Sequence, residues 1–165
     1  MDAPIRVLFL CTGNICRSPM AEALFKAMLA EEGLTEQVEV VSAGTHGHYN
    51  LGVGADPMAV AVVQERRLDL TGHRVRQLCR ADLEEYDYIL AMDENNIGAL
   101  RPRHPAALVD KVTLLTRYAP ELDLPAIPDP FCNTEFYFRQ VFYALEIAVA
   151  GFLRHLKNEG KVRSV

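Results

Sequence analysis

Val7-Leu8-Phe9-Leu10-Cys11-Thr12-Gly13-Asn14-Ile15-Cys16-Arg17-Ser18-Pro19 joins a continuous apolar run to a helix start, and its reading decides the fold. Residues 7–10 have the pattern of a strand buried on both faces, as in a parallel sheet covered by helices. Ser18-Pro19 predicts helix entry, with a hydroxyl N-cap and a proline at the first helical position, where its missing N–H costs nothing. Between strand and helix lie a thiol, a glycine, an asparagine and an arginine, in a loop aimed at the positive end of a helix. Such a loop is a place for an anion.

Working outward, Ala21, Leu24, Phe25, Met28 and Leu29 recur at three- and four-residue spacing and predict an amphipathic helix that ends near Gly33. Residues 38–44 read as a second strand, so strand, helix and strand form a right-handed parallel crossover. Residues 45–55, with three glycines around His46, His48, Tyr49 and Asn50, read as a loop, and the two histidines as polar loop residues. Asp56-Pro57 opens a helix to about Arg66, with Met58, Ala59, Val62 and Val63 inward. A turn at 69–73 and a helical turn at 82–85 precede a third strand over 88–92. Asp93 caps a helix that must stop before Pro102. Residues 111–115 supply a fourth strand, and Pro120, Pro125, Pro128 and Pro130 then fix the shape of a long connection. The last helix is expected from an N-cap at Asn133 to about Lys157, with Phe138, Val141, Leu145, Ala148, Val149, Phe152 and Leu156 as its buried stripe. Residues 160–165 are expected to fray.

These elements predict one α/β domain over 1–165, with its core at about 5–157: a four-stranded, mainly parallel open sheet with helices on both faces. Ligands of such sheets bind beyond the carboxyl ends of the strands, where Cys11 falls. With 165 residues, 50% hydrophobic and 24% charged, the chain has the composition of an ordinary globule. No apolar run approaches the roughly 18 residues of a membrane span, and no signal-peptide pattern opens the chain, which makes a cytoplasmic setting the expectation. The net charge of -5 argues against broad binding to nucleic acid or acidic membranes. Cysteines 11, 16, 79 and 132 match no metal-ligand spacing and read as thiols; neither metal nor cofactor is expected.

A cysteine at a strand-to-helix turn is a nucleophile candidate, because loop N–H groups and the helix N-terminus stabilise its thiolate. Arg17 can fold back to give a tetrahedral oxyanion two parallel hydrogen bonds, which a lysine cannot match. Gly13 lets the backbone curl into an anion nest, and Asn14 tolerates a left-handed conformation while bracing the loop. Ser18, besides capping, can donate to the Cys11 sulfur. Cys16 reads either as a redox partner that protects Cys11 through a reversible disulfide or as a small buried thiol.

The C-x5-R-S-P of Cys11 to Pro19, directly after a first strand, resembles the low-molecular-weight protein tyrosine phosphatase family. Ser42-Ala43-Gly44-Thr45, Gly72-His73, Asp87 to Asp93 and Asp129-Pro130 follow in the family's order, so the resemblance covers residues 5 to about 155. It implies Cys11 as the nucleophile of a cysteinyl-phosphate intermediate, Arg17 as the phosphate binder and Asp129 as general acid, then base. Thr12, Gly13, Asn14, Ile15, Cys16, Arg17 and Ser18 are implied to form the phosphate-binding loop, with Asn14, Ser18, Ser42 and His73 as its supporting network. Ile15, Tyr49, Asn50 and Phe131 resemble the pocket for a phosphotyrosine ring. The implied partner is a tyrosine-phosphorylated protein, with inorganic phosphate as product and no metal required. Asp93 reads as a helix cap and structural partner.

Three rivals carry less. Thioredoxin-coupled arsenate reductases of this fold relay through two further cysteines on one segment, where this chain has only Cys79. Protein-arginine phosphatases carry threonine where Ile15 stands. A non-catalytic phosphate-binding module would have no use for Cys11, Arg17 and Asp129 together.

Overall fold

Alternate residues of the first strand, β1 (Ile5–Cys11), point into two separate cores, which is why its sequence is apolar without interruption. In the computed structural model, which describes residues 2–164, Val7, Phe9 and Cys11 face one core, while Leu8 and Leu10 face the other. Strand β2 (Val38–Gly44) pairs parallel with one edge of β1 and β3 (Tyr88–Ala91) with the other; β4 (Val112–Leu114) follows β3, so the order is β2-β1-β3-β4. The chain therefore reverses its direction of travel across the sheet at the carboxyl end of β1, where Cys11 sits.

Helices α1 (Arg17–Glu31), α2 (Pro57–Gln64) and α6 (Glu135–Asn158) cover the Phe9 face. Helices α3 (Arg80–Glu85), α4 (Glu94–Leu100) and the short α5 (Ala106–Val109) cover the other. Phe25 of α1 lies edge-on to Phe9 at 5.8 Å and against Phe152 of α6 at 5.6 Å, which ties both long helices to the central strand. Every expected member of the α6 stripe is buried.

The structure departs from the sequence reading in five places. Ser18 is not the N-cap of α1: Cys16 occupies that position, without a side-chain capping bond, and the Ser18 side chain is engaged elsewhere. Met58 is not inward but 38% exposed, because the buried side of α2 is Ala59, Val62 and Val63. The N-cap of α6 is Thr134, whose hydroxyl accepts from Tyr137 N at 3.2 Å, rather than Asn133. The segment expected to fray is tied down: Val162 is buried, and Arg163 N donates to Gln37 Oε1 at 2.8 Å while Gln37 Nε2 donates back to Arg163 O at 2.7 Å. Val165 lies outside the described residues. Finally, the 24 residues of α6, with a mean hydropathy of 1.3 over the most apolar window, are long and apolar enough to cross a bilayer. That length of apolar sequence is used instead to face the core, with Phe138, Val141, Phe142, Leu145, Val149 and Phe152 buried.

Gly151 marks the closest approach in this packing, since a Cβ built there would lie 2.2 Å from the Tyr118 carbonyl oxygen. Gly151→Ala is expected to push α6 off the 115–118 turn and to destabilise the protein by about 1–3 kcal/mol. A urea melt with an unchanged midpoint would show that the helix has room to shift.

Candidate active site

The chain leaves β1 at Cys11, curls through five residues and enters α1 at Arg17. The sharp point of that curl is Asn14, whose φ of 59° lies in the left-handed region. Its side chain is fully buried and every polar atom is engaged. Nδ2 donates to Ser18 Oγ at 2.9 Å and to Ser42 Oγ at 3.0 Å, and Oδ1 accepts from Arg76 N at 2.9 Å. Asn14 O pairs with His73 Nε2 at 2.7 Å. The expected supporting set of Asn14, Ser18, Ser42 and His73 thus comes together around one residue.

This arrangement assigns the proton on Ser18. An amide NH2 can only donate, so Ser18 Oγ accepts from Asn14 and its own hydrogen is directed at Cys11 Sγ, 3.0 Å away. Asn14 N donates to the same sulfur at 3.2 Å. Cys11 therefore has two donors aimed at its sulfur at the start of a 15-residue helix.

The glycine that the loop depends on is Gly44 rather than Gly13. Gly13 is not in a positive-φ conformation, and a Cβ there would make only ordinary contact with Ile15 at 3.5 Å. At Gly44, at the end of β2, a Cβ would meet Thr12 O at 2.7 Å and Asn14 N at 3.1 Å. The chain past Gly44 then pairs with the loop itself, Thr45 N donating to Cys11 O and His46 N to Thr12 O, both at 2.9 Å.

Arg17 is 2% exposed and firmly aimed. Its Nη1 donates to Asp93 Oδ2 at 2.6 Å and to Ile127 O at 2.8 Å, while Nη2 lies 3.7 Å from Asp129 Oδ2. Asp93 has a larger part here than the helix cap expected of it. Its Oδ1 accepts from Asn96 N at 2.9 Å as the cap of α4, and its Oδ2 holds the guanidinium. Asn96, also fully buried, accepts from Met92 N and Asp93 N at 3.0 Å and donates from Nδ2 to Thr12 Oγ1 at 3.1 Å. The N-terminus of α4 thereby holds both ends of the loop, Thr12 and Arg17. The only trace of this in the sequence is the Asp93-x-x-Asn96 capping pattern, which reveals the cap and not what else the side chains reach.

A cavity of about 220 Å³ opens above the loop. Cys11, Thr12, Gly13, Ile15, Cys16 and Arg17 form its base, and Tyr49, Asn50, Asp129 and Phe131 its walls, so these ten residues expected at the site surround one space. Asn14 and Ser18, expected in the phosphate-binding loop, brace it from behind. His46 is a wall residue that the sequence reading passed over as loop. It stacks parallel to Tyr49, ring centroids 6.1 Å apart, and His48 packs on Tyr49 at 4.2 Å. Partial burial, with Arg103 and His48 nearby, lowers its pKa and favours the neutral ring. Asp129 is half exposed, its Oδ1 accepting from Phe131 N at 3.1 Å. Burial pushes the Cys16 thiol up, which keeps it protonated, and Cys11 and Cys16 are both free. Among the described residues no group of three or more His, Cys, Asp or Glu is placed to hold a metal ion.

Comparisons with known proteins point to one family. The family model described as low molecular weight phosphotyrosine protein phosphatase matches residues 6–162. A low molecular weight protein-tyrosine-phosphatase of Streptomyces coelicolor is 38% identical over 163 residues, spanning 96% of this chain and 98% of its own. The crystal structure of YfkJ from Bacillus subtilis superposes with a TM-score of 0.88 at 33% identity, covering 96% of this chain and 98% of that one. The structure of YwlE, an arginine phosphatase captured as a cysteine-to-serine variant with a phosphorylated active-site serine, gives a TM-score of 0.83 at 32% identity, covering 93% of this chain and 96% of that one.

Asn14→Ala removes three side-chain hydrogen bonds and puts a Cβ-bearing aliphatic residue at φ 59°. A loss of roughly 2–4 kcal/mol in stability is expected, together with a large fall in turnover. Asn14→Gly restores the backbone freedom alone and should recover about 1 kcal/mol of the loss. Equal melting temperatures for the two variants would show that the left-handed turn carries no strain.

Proposed function

The chain belongs to the low-molecular-weight phosphotyrosine protein phosphatase family, and on that premise we propose that it hydrolyses phosphotyrosine in proteins through a cysteinyl-phosphate on Cys11, with Asp129 as general acid and base. The observation that carries this reading is the convergence of Cys11 Sγ, Arg17 and Asp129 on one cavity with apolar walls. Cys11 Sγ attacks phosphorus from the base of the cavity, the bond from phosphorus to the phenolic oxygen breaks, and Asp129 gives that oxygen its proton. Water then attacks the phosphorus, Asp129 takes its proton, and the sulfur–phosphorus bond breaks to release inorganic phosphate. Ser18 assists both halves: its hydrogen bond stabilises the thiolate as nucleophile and again as leaving group.

Arg17 binds the equatorial oxygens. Because Nη1 is held by Asp93 and Ile127, the Nε and Nη2 edge is presented as a preformed fork, so little reorganisation accompanies binding. The loop N–H groups and Arg17 supply the charge stabilisation that a metal would otherwise give, and the reaction is metal-independent. A phosphorylated active-site serine in the YwlE variant supports a covalent phosphoenzyme in this fold. Although YwlE is an arginine phosphatase, the walls of this cavity, Ile15, Tyr49 and Phe131, match a flat aryl group rather than a guanidinium. Cys16, a free thiol on the cavity of Cys11, supports a reversible disulfide between the two under oxidant.

Cys11→Ser is expected to abolish hydrolysis of phosphotyrosine peptides, and full activity in that variant would refute the mechanism. Asp129→Ala should lower kcat for phosphotyrosine by about 10²–10⁴. With 4-nitrophenyl phosphate, whose leaving group needs no proton, the loss should be much smaller. Equal losses on the two substrates would remove Asp129 as the acid. A phosphoarginine peptide should be turned over far more slowly than its phosphotyrosine counterpart, and the opposite order would overturn the aryl reading.

A further inference from the structure

A second cavity, of about 310 Å³, lies beside the catalytic one and is lined by Asp56, Pro57, Met58, Phe131, Cys132 and Phe138 among others. Phe131 lines both spaces and forms the partition between them. The turn that carries this partition is tightly made. Cys132 takes a left-handed φ of 63°, Asn133 N donates to Pro130 O at 2.9 Å, and Phe131 N donates to Asp129 Oδ1 at 3.1 Å. The opposite side of the second cavity is fixed to the phosphate loop, since Asp56 N donates to Ile15 O at 2.9 Å. Both of its sides are therefore braced against catalytic elements, and its position relative to Cys11 is set by the same hydrogen bonds that set the site.

Its surface is apolar and open to solvent: Met58 is 38% and Phe131 55% exposed. We propose that this cavity is a subsite for a large apolar side chain within two residues of the phosphotyrosine in the polypeptide substrate. This rests on the phosphotyrosine reading above. An extended polypeptide with its phosphotyrosine ring between Tyr49 and Phe131 advances about 3.3 Å per residue and alternates its side chains. A neighbouring side chain thus reaches over the partition. Asp56 lines the cavity and its other lining is mostly apolar, so the subsite rejects an acidic neighbour and accepts a leucine-like one.

The test measures kcat/KM for free phosphotyrosine and for phosphotyrosine peptides that differ only in carrying Leu, Ala or Glu at the two positions on each side. The wild-type protein should prefer the Leu peptide over Ala by about tenfold, with Glu poorest. Met58→Glu should erase the preference for Leu and Met58→Ala should halve it or more, while free phosphotyrosine turns over at the wild-type rate in both. Equal rates for Leu and Ala peptides in the wild type, or an equal loss on free phosphotyrosine in Met58→Glu, would overturn the subsite and leave the phosphatase reading intact. Failure of the wild type to hydrolyse free phosphotyrosine or any peptide would instead overturn the phosphatase reading. Sedimentation of the same proteins covers the remaining occupant: a dimer that Met58→Glu dissociates would assign the cavity to a second copy of the chain and refute the substrate subsite.

Discussion

The left-handed turn at Asn14 holds the site together because it lets one short loop bring its N–H groups inward while its side chain points back into the protein. Neither half would persist alone. A non-glycine residue at positive φ costs roughly 1–2 kcal/mol, and a fully buried amide without partners costs more. Here the same residue meets both costs, since its three side-chain hydrogen bonds and the His73 contact to its carbonyl form only when the backbone is so turned. Those bonds reach β2 through Ser42, α1 through Ser18 and the segment after α2 through Arg76 and His73. The loop is consequently anchored to the sheet beneath it, and the hydrogen of Ser18 is directed at the Cys11 sulfur as a result of that bracing.

Arg17 is held by the opposite strategy. A guanidinium that is 2% exposed would be strongly destabilising if unpaired, and its partner Asp93 comes from the far side of the sheet's switch point. Because Asp93 also caps α4, its rotamer is fixed before the arginine reaches it. Asn96, one turn along, fixes Thr12 in the same way. Two buried polar networks, one centred on Asn14 and one on Asp93 with Asn96, thus grip the loop from its two sides, so that its donors are in place before any anion binds.

Much of this could be read from the sequence, and the parts that could not have physical reasons. Strand β1, helices α1 and α6 and the parallel order followed from apolar runs and their periodicity, because burial on one or both faces is written residue by residue. Cys11, Arg17 and Asp129, which line one cavity, were singled out by the spacing of the first loop and by a family resemblance. Ser18 was misread as a cap because a hydroxyl before a proline satisfies the local rule, whereas its hydrogen bonds are to Asn14 and Cys11 in the loop. Gly13 drew attention over Gly44 since it lies within the motif, yet what matters is a backbone approach of β2 to Thr12 that only the fold creates. The tail was expected to fray as a terminal segment, and Gln37, 126 residues away from Arg163, holds it. Tertiary contacts of this kind leave no periodic mark. The wall residue His46 belongs with them, for its stacking on Tyr49 depends on the short helical turn at Gly47–Tyr49.

The two kinds of residue at the site also differ in how they are held, and this separates chemistry from selectivity. Cys11, Asn14, Arg17, Ser18 and Asn96 are buried and hydrogen-bonded into the sheet and the helix starts. Tyr49 and Phe131 are 74% and 55% exposed, and their side chains make no hydrogen bond into those buried networks. Substituting a wall residue removes contact area without releasing any buried polar group, so the loop, the thiol and the guanidinium keep their positions. A fold built this way can change what it accepts by altering the 45–55 loop and the turn after Asp129, since the energy that fixes the reacting atoms is stored elsewhere. The histidines stacked on Tyr49 and the apolar cavity behind Phe131 lie in those two segments, whose backbone N–H groups hold Cys11, Thr12 and Asp129 while their exposed side chains do not.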